Sequence, residues 1–199
     1  MKRVILLLFG FSTIFLRKRG NILAGRIGRI LITEDELRQR VKELGEQITK
    51  DYEGKPLLLV GILKGSVVFM ADLMREIKTD CKIDFMSVSS YGSGTVTSGE
   101  VQIILDLRKP IQNYDLLIVE DILDSGVTLS YLRQLLSARG PKSIKICTLL
   151  YKPDRRMRDI KPDYCGFTIP DEFVIGYGLD VDEKYRNLPY VGIYEPDAE

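Results

Sequence analysis

The sequence contains no histidine and no tryptophan. Without an imidazole, Ser-His-Asp and Cys-His catalysis are excluded, and so is every histidine-ligated metal site. Cysteine is scarce. Cys81, Cys147 and Cys165 are odd in number, far apart and without CxxC spacing. Each lies in or beside an apolar run, which reads as reduced core thiols of a cytoplasmic protein. Neither charge dominates: 29 Lys and Arg face 28 Asp and Glu, for a net charge of +1. No global field is therefore present to hold a nucleic acid or an anionic membrane, and any polyanion must bind locally. What remains is ordinary for one soluble domain, with 199 residues, 45% hydrophobic and 29% charged. That length suits a single α/β domain with a sizeable core.

The longest apolar run, Val4 to Leu16, lies between Lys2-Arg3 and Arg17-Lys18-Arg19. It falls short of the ~20 residues that a spanning helix needs, so no stable membrane span is expected. A charged start and an apolar middle resemble a signal peptide. However, no A-x-A site follows, and the second basic cluster opposes translocation. We read residues 1–24 as a non-catalytic extension, non-native or mis-started. A weak membrane-surface anchor and a signal segment are the alternatives. Residues 25–199 are read as one domain.

Thr33-Glu34-Asp35-Glu36 is a capping box, and Leu37, Val41, Leu44 and Ile48 follow at helical spacing to about Tyr52. Leu57 to Leu63 is a short continuous apolar run, typical of a strand buried on both faces. A second helix follows Lys64-Gly65-Ser66 and runs to about Ile77. Lys82 to Ser89 and Val101 to Leu107 read as strands, separated by the polar, glycine-rich segment Ser90 to Glu100. Tyr114 to Val119 reads as another buried strand, and Thr128 to Arg139 as a helix stopped by Gly140-Pro141. Ile144 to Tyr151, Tyr164 to Ile169 and Phe173 to Leu179 are further strand candidates. Strands alternating with helices imply an α/β domain with a mostly parallel central sheet flanked by helices.

The most informative segment is Leu116 to Leu129, LLIVEDILDSGVTL. A buried strand ends in two acids, Glu120 and Asp121, and the loop Asp124-Ser125-Gly126-Val127-Thr128 opens a helix. The carboxyl end of a parallel strand followed by a helix N-terminus is where α/β sheets bind ligands. Backbone N–H groups and the helix dipole make such a loop an anion site, and Gly126 permits close approach. The loop is neither a Walker A motif nor GxGxxG. Adjacent carboxylates on a strand point to opposite sides, so both serve one ligand only if the strand ends there. They suit vicinal hydroxyls or a hydrated Mg²⁺. The competing reading is a solvated acidic strand end beside an Asp helix cap.

VEDILDSGVTL (119–129) resembles the phosphoribosyl-pyrophosphate signature of type I phosphoribosyltransferases, in the form found in hypoxanthine-guanine phosphoribosyltransferases. The resemblance extends from about Ile30 to Tyr194. It includes ILKGS (62–66), SSYG (89–92), LLYKP (149–153) and IPDEFVIGYGLD (169–180). It implies the type I phosphoribosyltransferase fold, with a small hood subregion and a mobile lid loop.

The implied reaction displaces pyrophosphate from C1 of 5-phosphoribosyl 1-pyrophosphate with a purine nitrogen, using Mg²⁺. By the resemblance, Asp124 to Thr128 would hold the 5′-phosphate. Glu120 and Asp121 would face the ribose hydroxyls directly or through the metal shell, and Asp180 would ligate a second metal. Lys64, Gly65 and Arg186 would meet pyrophosphate, and the Leu63–Lys64 peptide would be cis. Phe173 would stack on the base among Val174 and Ile122, and Lys152 would donate to its 6-oxo group. Ser90 and Tyr91 would open the lid.

Asp124 matches the proposed general base, although a carboxylate at a helix N-terminus is stabilised in its charged form. It therefore either takes the purine proton or mainly orients the base. Asp180 as a turn residue, Lys152 as a solvated lysine and 90–100 as an ordinary hairpin loop are the plainer alternatives. Arg155, Arg156 and Arg158 read as a solvated run without a role, and Tyr177 and Phe167 as core.

Two rival functions remain: a nucleotide-sensing regulator that binds nucleic acid, and a xanthine-preferring transferase. The balanced charge weighs against the first. A homodimer or homotetramer is implied by the resemblance. Since no motif residue precedes Lys64, deleting residues 2–24 is expected to leave soluble, active protein. A truncated chain that folds but does not turn over would refute this.

Overall fold

The computed structural model describes residues 25–90 and 101–196, with only the backbone of Ser90, together with the backbone of 17–18 and 21–22. The apolar run at 4–16, the lid residue Tyr91 and the rest of 91–100 lie outside the described residues. Arg17–Lys18 (β1) pairs antiparallel with Asn21–Ile22 (β2). Gly25–Ile32 (β3) leads to Glu34–Asp51 (α1). The capping box is formed: Glu36 N donates to Thr33 Oγ1 at 3.3 Å, and Thr33 N donates to Glu36 Oε2 at 2.8 Å. Leu37, Val41, Leu44 and Ile48 are the buried stripe of α1, as their spacing predicts.

The chain continues through Leu57–Leu63 (β4), Val67–Glu76 (α2), Cys81–Ser90 (β5) and Val101–Leu105 (β6). Asp115–Leu123 (β7), Val127–Ser137 (α3), Ser143–Tyr151 (β8) and Tyr164–Thr168 (β9) follow. The six-stranded sheet has the order β6-β5-β4-β7-β8-β9, and all neighbours are parallel except β5 and β6. Residues alternate between two faces. Leu57, Leu59, Leu117 and Val119 join the cluster packed by α1 and α2, while Leu58, Val60, Leu116 and Ile118 join that of α3. Strands covered on both faces explain the unbroken apolar runs at 57–63 and 116–119.

Val174–Ile175 (β10) and Val191–Pro196 (β11) form a second sheet with β3, in the order β10-β11-β3. This small sheet was largely hidden from sequence reasoning. The expected strand at Phe173 to Leu179 shrinks to Val174–Ile175. Gly176, Tyr177 and Gly178 have φ of 94°, 50° and 102°, a left-handed run that turns the chain back. Gly176 N accordingly donates to Leu179 O at 3.0 Å. β3 and β11 join residues far apart in sequence, so neither carried a local signal.

The acids 120 and 121 do not end β7, as the sequence argument required. β4 pairs with β7 only from Leu57↔Asp115 to Gly61↔Val119, whereas β8 pairs on to Leu123↔Tyr151. The strand keeps one neighbour and loses the other. The two acids therefore sit at an opened edge rather than at a chain end.

Leu117 is fully buried in β7, between β4 and β8. Leu117→Ala should lower the unfolding free energy by about 2–5 kcal/mol, measured by urea denaturation. A loss under about 1 kcal/mol would show that the sheet closes around the missing side chain.

Candidate active site

From β4 the chain steps outward through α2 to β5; from β7 it steps the opposite way through α3 to β8. The carboxyl ends of β4 and β7 thus flank a topological switch point, where α/β sheets open a ligand crevice. Lys64 to Ser66 leave β4 there, after a cis Leu63–Lys64 peptide. Asp124 to Thr128 leave β7, and Lys152 leaves β8.

Gly126, at φ 77°, immediately precedes α3 and has no side chain to cap it, while Ser125 Oγ accepts from Val127 N at a long 3.4 Å. Its first turn carries no acidic residue, so the positive end of the dipole is left for an anion. Asp124 is not the helix cap that the sequence offered as the plainer reading. Its Oδ1 instead accepts from Ser125 N at 2.5 Å, one residue on. Ser125 O accepts from Met157 N at 2.9 Å and Arg158 N at 3.2 Å. Any side chain at Gly126 would crowd Ile160. The 155–158 run is therefore a brace beneath the loop and not simply a solvated surface.

Glu120 and Asp121 are buried, and Glu120 Oε2 has no hydrogen-bond partner. Burial, followed by the charge of Asp121, pushes the Glu120 carboxyl well above the usual range. Burial likewise raises Asp121 to about 6, against the lowering effects of Glu120, Ile122 N and Arg186. An orphaned buried oxygen next to a second acid is a strong demand for hydroxyl donors or a cation. A side chain at Gly65 would overlap the Asp121 carboxylate. Gly65 O in turn blocks any side chain at Gly178, whose φ is 102°. The Lys64-Gly65 loop is thus held between β7 and the segment after β10, in a space that admits only glycine.

Lys152 is buried, which excludes the solvated alternative. Its N–H donates to Leu123 O at 2.9 Å, so it is tied to the end of β7. Nζ donates to Glu172 O at 2.5 Å and lies 3.8 Å from Asp171 Oδ1. Burial lowers its pKa, while the charges of Asp171 and Asp124 favour the ammonium. Arg155 pairs with Asp171 on the outer side. Phe173 packs edge-on against Tyr194, with centroids 5.7 Å apart. Val174 and Ile122 are buried, and Tyr177 is core, with its hydroxyl donating to Asp72 Oδ2 at 2.6 Å. Phe167 packs against the main cluster.

Arg186 Nη2 meets Asp180 Oδ1 at 2.8 Å, and Nη1 donates to Gly178 O at 2.8 Å. Asp180 Oδ2 accepts from Glu183 N at 2.9 Å. Asp180 is therefore engaged at both oxygens, more than a solvated turn residue. No cluster of three acidic, cysteine or histidine side chains that could hold a metal occurs among the described residues. The acid pair fits a hydrated cation that takes most of its ligands from water or a bound phosphate, as Mg²⁺ does.

Sequence reasoning missed three participants. Glu183 bridges Lys64 and Arg186, Asp171 faces Lys152, and Gly178 makes room for Gly65. Asp171 and Gly178 left a trace, as members of IPDEFVIGYGLD, whereas Glu183 lies outside it.

Comparison with known proteins bears on the same residues. The sequence model of the family described as phosphoribosyl transferase domain matches residues 32–182. The hypoxanthine-guanine phosphoribosyltransferase of Lactococcus lactis subsp. lactis is 55% identical over 86% of this chain and 93% of that protein. The bifunctional protein TilS/HprT of Listeria monocytogenes is 54% identical over 86% of this chain, which spans only 26% of that relative's length. A crystal structure of a hypoxanthine phosphoribosyltransferase from Staphylococcus aureus superposes with a TM-score of 0.83 at 56% identity. It covers 85% of this chain and 92% of the other.

The raised Asp121 carboxyl has a consequence for stability. Its folded value of about 6 exceeds the unfolded value of about 3.9. The folded chain therefore binds more protons between these values, and this stabilisation is lost as pH rises through 6. Asp121→Asn has no such proton to lose. It should gain on the wild type by about 1–3 kcal/mol between about pH 5 and pH 8. Thermal unfolding in chelator measures this, and a difference independent of pH would overturn it.

Proposed function

This chain belongs to the phosphoribosyl transferase domain family and has the type I phosphoribosyltransferase fold; on that basis we propose that it is a purine-salvage enzyme. It transfers the phosphoribosyl group from 5-phosphoribosyl 1-pyrophosphate to hypoxanthine or guanine, giving IMP or GMP and pyrophosphate. The observation that carries this reading is a buried lysine at the end of β8, tied to the strand that presents the acid pair and the anion loop.

The 5′-phosphate rests on Asp124 to Thr128, against the start of α3. The ribose hydroxyls meet Glu120 and Asp121, where Glu120 Oε2 otherwise lacks a partner. Lys64, Gly65 and Arg186 hold pyrophosphate. Glu120, Asp121 and Asp180 would hold Mg²⁺, which would supply charge for the leaving pyrophosphate. Arg186 must release Asp180 for that role. Lys152 donates to the 6-oxo group, and Phe173 stacks on the base beside Val174 and Ile122. Asp124 accepts or orients the proton of the purine nitrogen. The lid that opens at Ser90 and Tyr91 keeps water from the electrophilic C1.

We place the enzyme in the cytoplasm, where its three free thiols stay reduced. Among the described residues no helix is long and apolar enough to cross a membrane. We also propose a homodimer or homotetramer. Exposed Ile83, Ile104 and Leu105, on the β5 and β6 edge of the main sheet, offer a second copy an apolar surface.

An ammonium has three donors and no acceptor, so adenine would set its 6-amino group donor against donor. The wild type should reject adenine by roughly 10⁴ in kcat/KM relative to hypoxanthine or guanine. Lys152→Met should lose about 10–100-fold on 6-oxopurines, as a buried hydrogen bond to a charged group is removed. Comparable wild-type rates on adenine would end the reading. An undiminished Lys152→Met would remove that lysine from it. Salt-dependent nucleic-acid binding without turnover, or a preference for xanthine in the same panel, would favour the rival functions.

A further inference from the structure

We propose that Glu183 is an internal anion that occupies the pyrophosphate subsite of the free protein and competes with pyrophosphate for Lys64 and Arg186. The inference rests on the assignment of those two cations to pyrophosphate. Glu183 Oε1 lies 3.0 Å from Lys64 Nζ, and its Oε2 lies 3.2 Å from Arg186 Nη2 and 3.4 Å from Arg186 Nε. One carboxylate thus joins cations from two loops that are 119 residues apart between Lys64 and Glu183. Among the described residues no other acid meets both: Asp180 pairs with Arg186 and not with Lys64.

The backbone aims this side chain on purpose-built geometry. Asp182, Glu183 and Tyr185 have φ of 52°, 60° and 73°, and Glu183 N is anchored to Asp180 Oδ2. Such a left-handed bend is uncommon for residues other than glycine.

The contact is also built to be exchanged. The Lys64 and Glu183 side chains are 65% and 63% exposed, and ion pairs in water are weak. Pyrophosphate carries more charge and more acceptor oxygens than one carboxylate, so it wins the cations when it arrives. Once the reaction is over, Glu183 draws Lys64 and Arg186 back and hastens release. A glutamate that only stabilised the bend would instead help binding by keeping Arg186 in place, so the two roles differ in sign.

The test is calorimetric titration of inorganic pyrophosphate with Mg²⁺ into the full chain, for wild type, Glu183→Gln, Lys64→Met and the double variant. Glu183→Gln should bind about 3–10-fold tighter, with slower dissociation, because two exposed ion pairs no longer compete. That gain should shrink in the Lys64→Met background and at high salt. Glu183→Asp, which keeps the charge on a shorter arm that cannot span both cations, should bind with intermediate affinity. Equal or weaker binding by a folded Glu183→Gln would overturn the proposal while leaving the subsite assignment intact. If Glu183→Gln fails to fold, Glu183→Asp with unchanged affinity would overturn it as well. A wild type that does not bind pyrophosphate at all would remove both.

Discussion

β4 and β7 run side by side as far as Gly61 and Val119 and then part, and the whole crevice takes its position from that separation. Parallel strands joined by helices on opposite faces must leave a gap where the winding reverses. Here the gap exposes one edge of β7 at Glu120 and Asp121 while β8 continues to hold the other edge. The acids are rigid because they lie within a paired strand. The β4 loop can pack against them because the strand has lost a neighbour. Gly65 then packs against Asp121, and Gly178 against Gly65, without side chains of their own, and this lets the β4 loop and the segment after β10 come together at that edge.

A crevice of this kind holds charges that the fold itself does not satisfy. Glu120 and Asp121 lie out of water, so burial drives both carboxyls toward the neutral form, helped at Glu120 by the charge of Asp121 and opposed at Asp121 by Glu120, Ile122 N and Arg186. Lys152 is in the opposite state, an ammonium whose charge is opposed by burial and sustained by Asp171 and Asp124. Each group is poised for a partner that adds to what the protein provides: hydroxyls and a cation for the acids, and for the lysine an acceptor beyond Glu172 O. Destabilisation in the free chain and affinity for a ligand are here the same physical fact, since a ligand relieves the desolvation that folding imposes.

The corner formed by Lys64, Glu183 and Arg186 is balanced differently. Its charges are paired within the protein and remain in contact with water, so exchanging partners costs little. One end of the crevice therefore binds by supplying missing partners, and the other by replacing a partner already present. The division suits a reaction in which one phosphate group stays on the product and another leaves.

The sequence alone determined the layered α/β class, the capping box that starts α1, the buried strands and the loop at 124–128. Those features are written in local periodicity and cap chemistry, and VEDILDSGVTL and its companion motifs were enough to resemble a family. Tertiary structure decided the rest. Whether β7 ends at its acids depends on where β4 departs, which no spacing within 116–129 records. The sequence left a solvated strand end open as the plainer reading of Lys152, and its burial comes from the 171–174 segment, which folds over it. The run at 155–158 is mostly charged in sequence, and it becomes a brace because Met157 N and Arg158 N donate to Ser125 O. Glu183 was invisible for the same reason: its meaning lies in two cations, one of them 119 residues away. Local pattern fixes which elements form, whereas long-range packing fixes which side chains lose water and which find a partner.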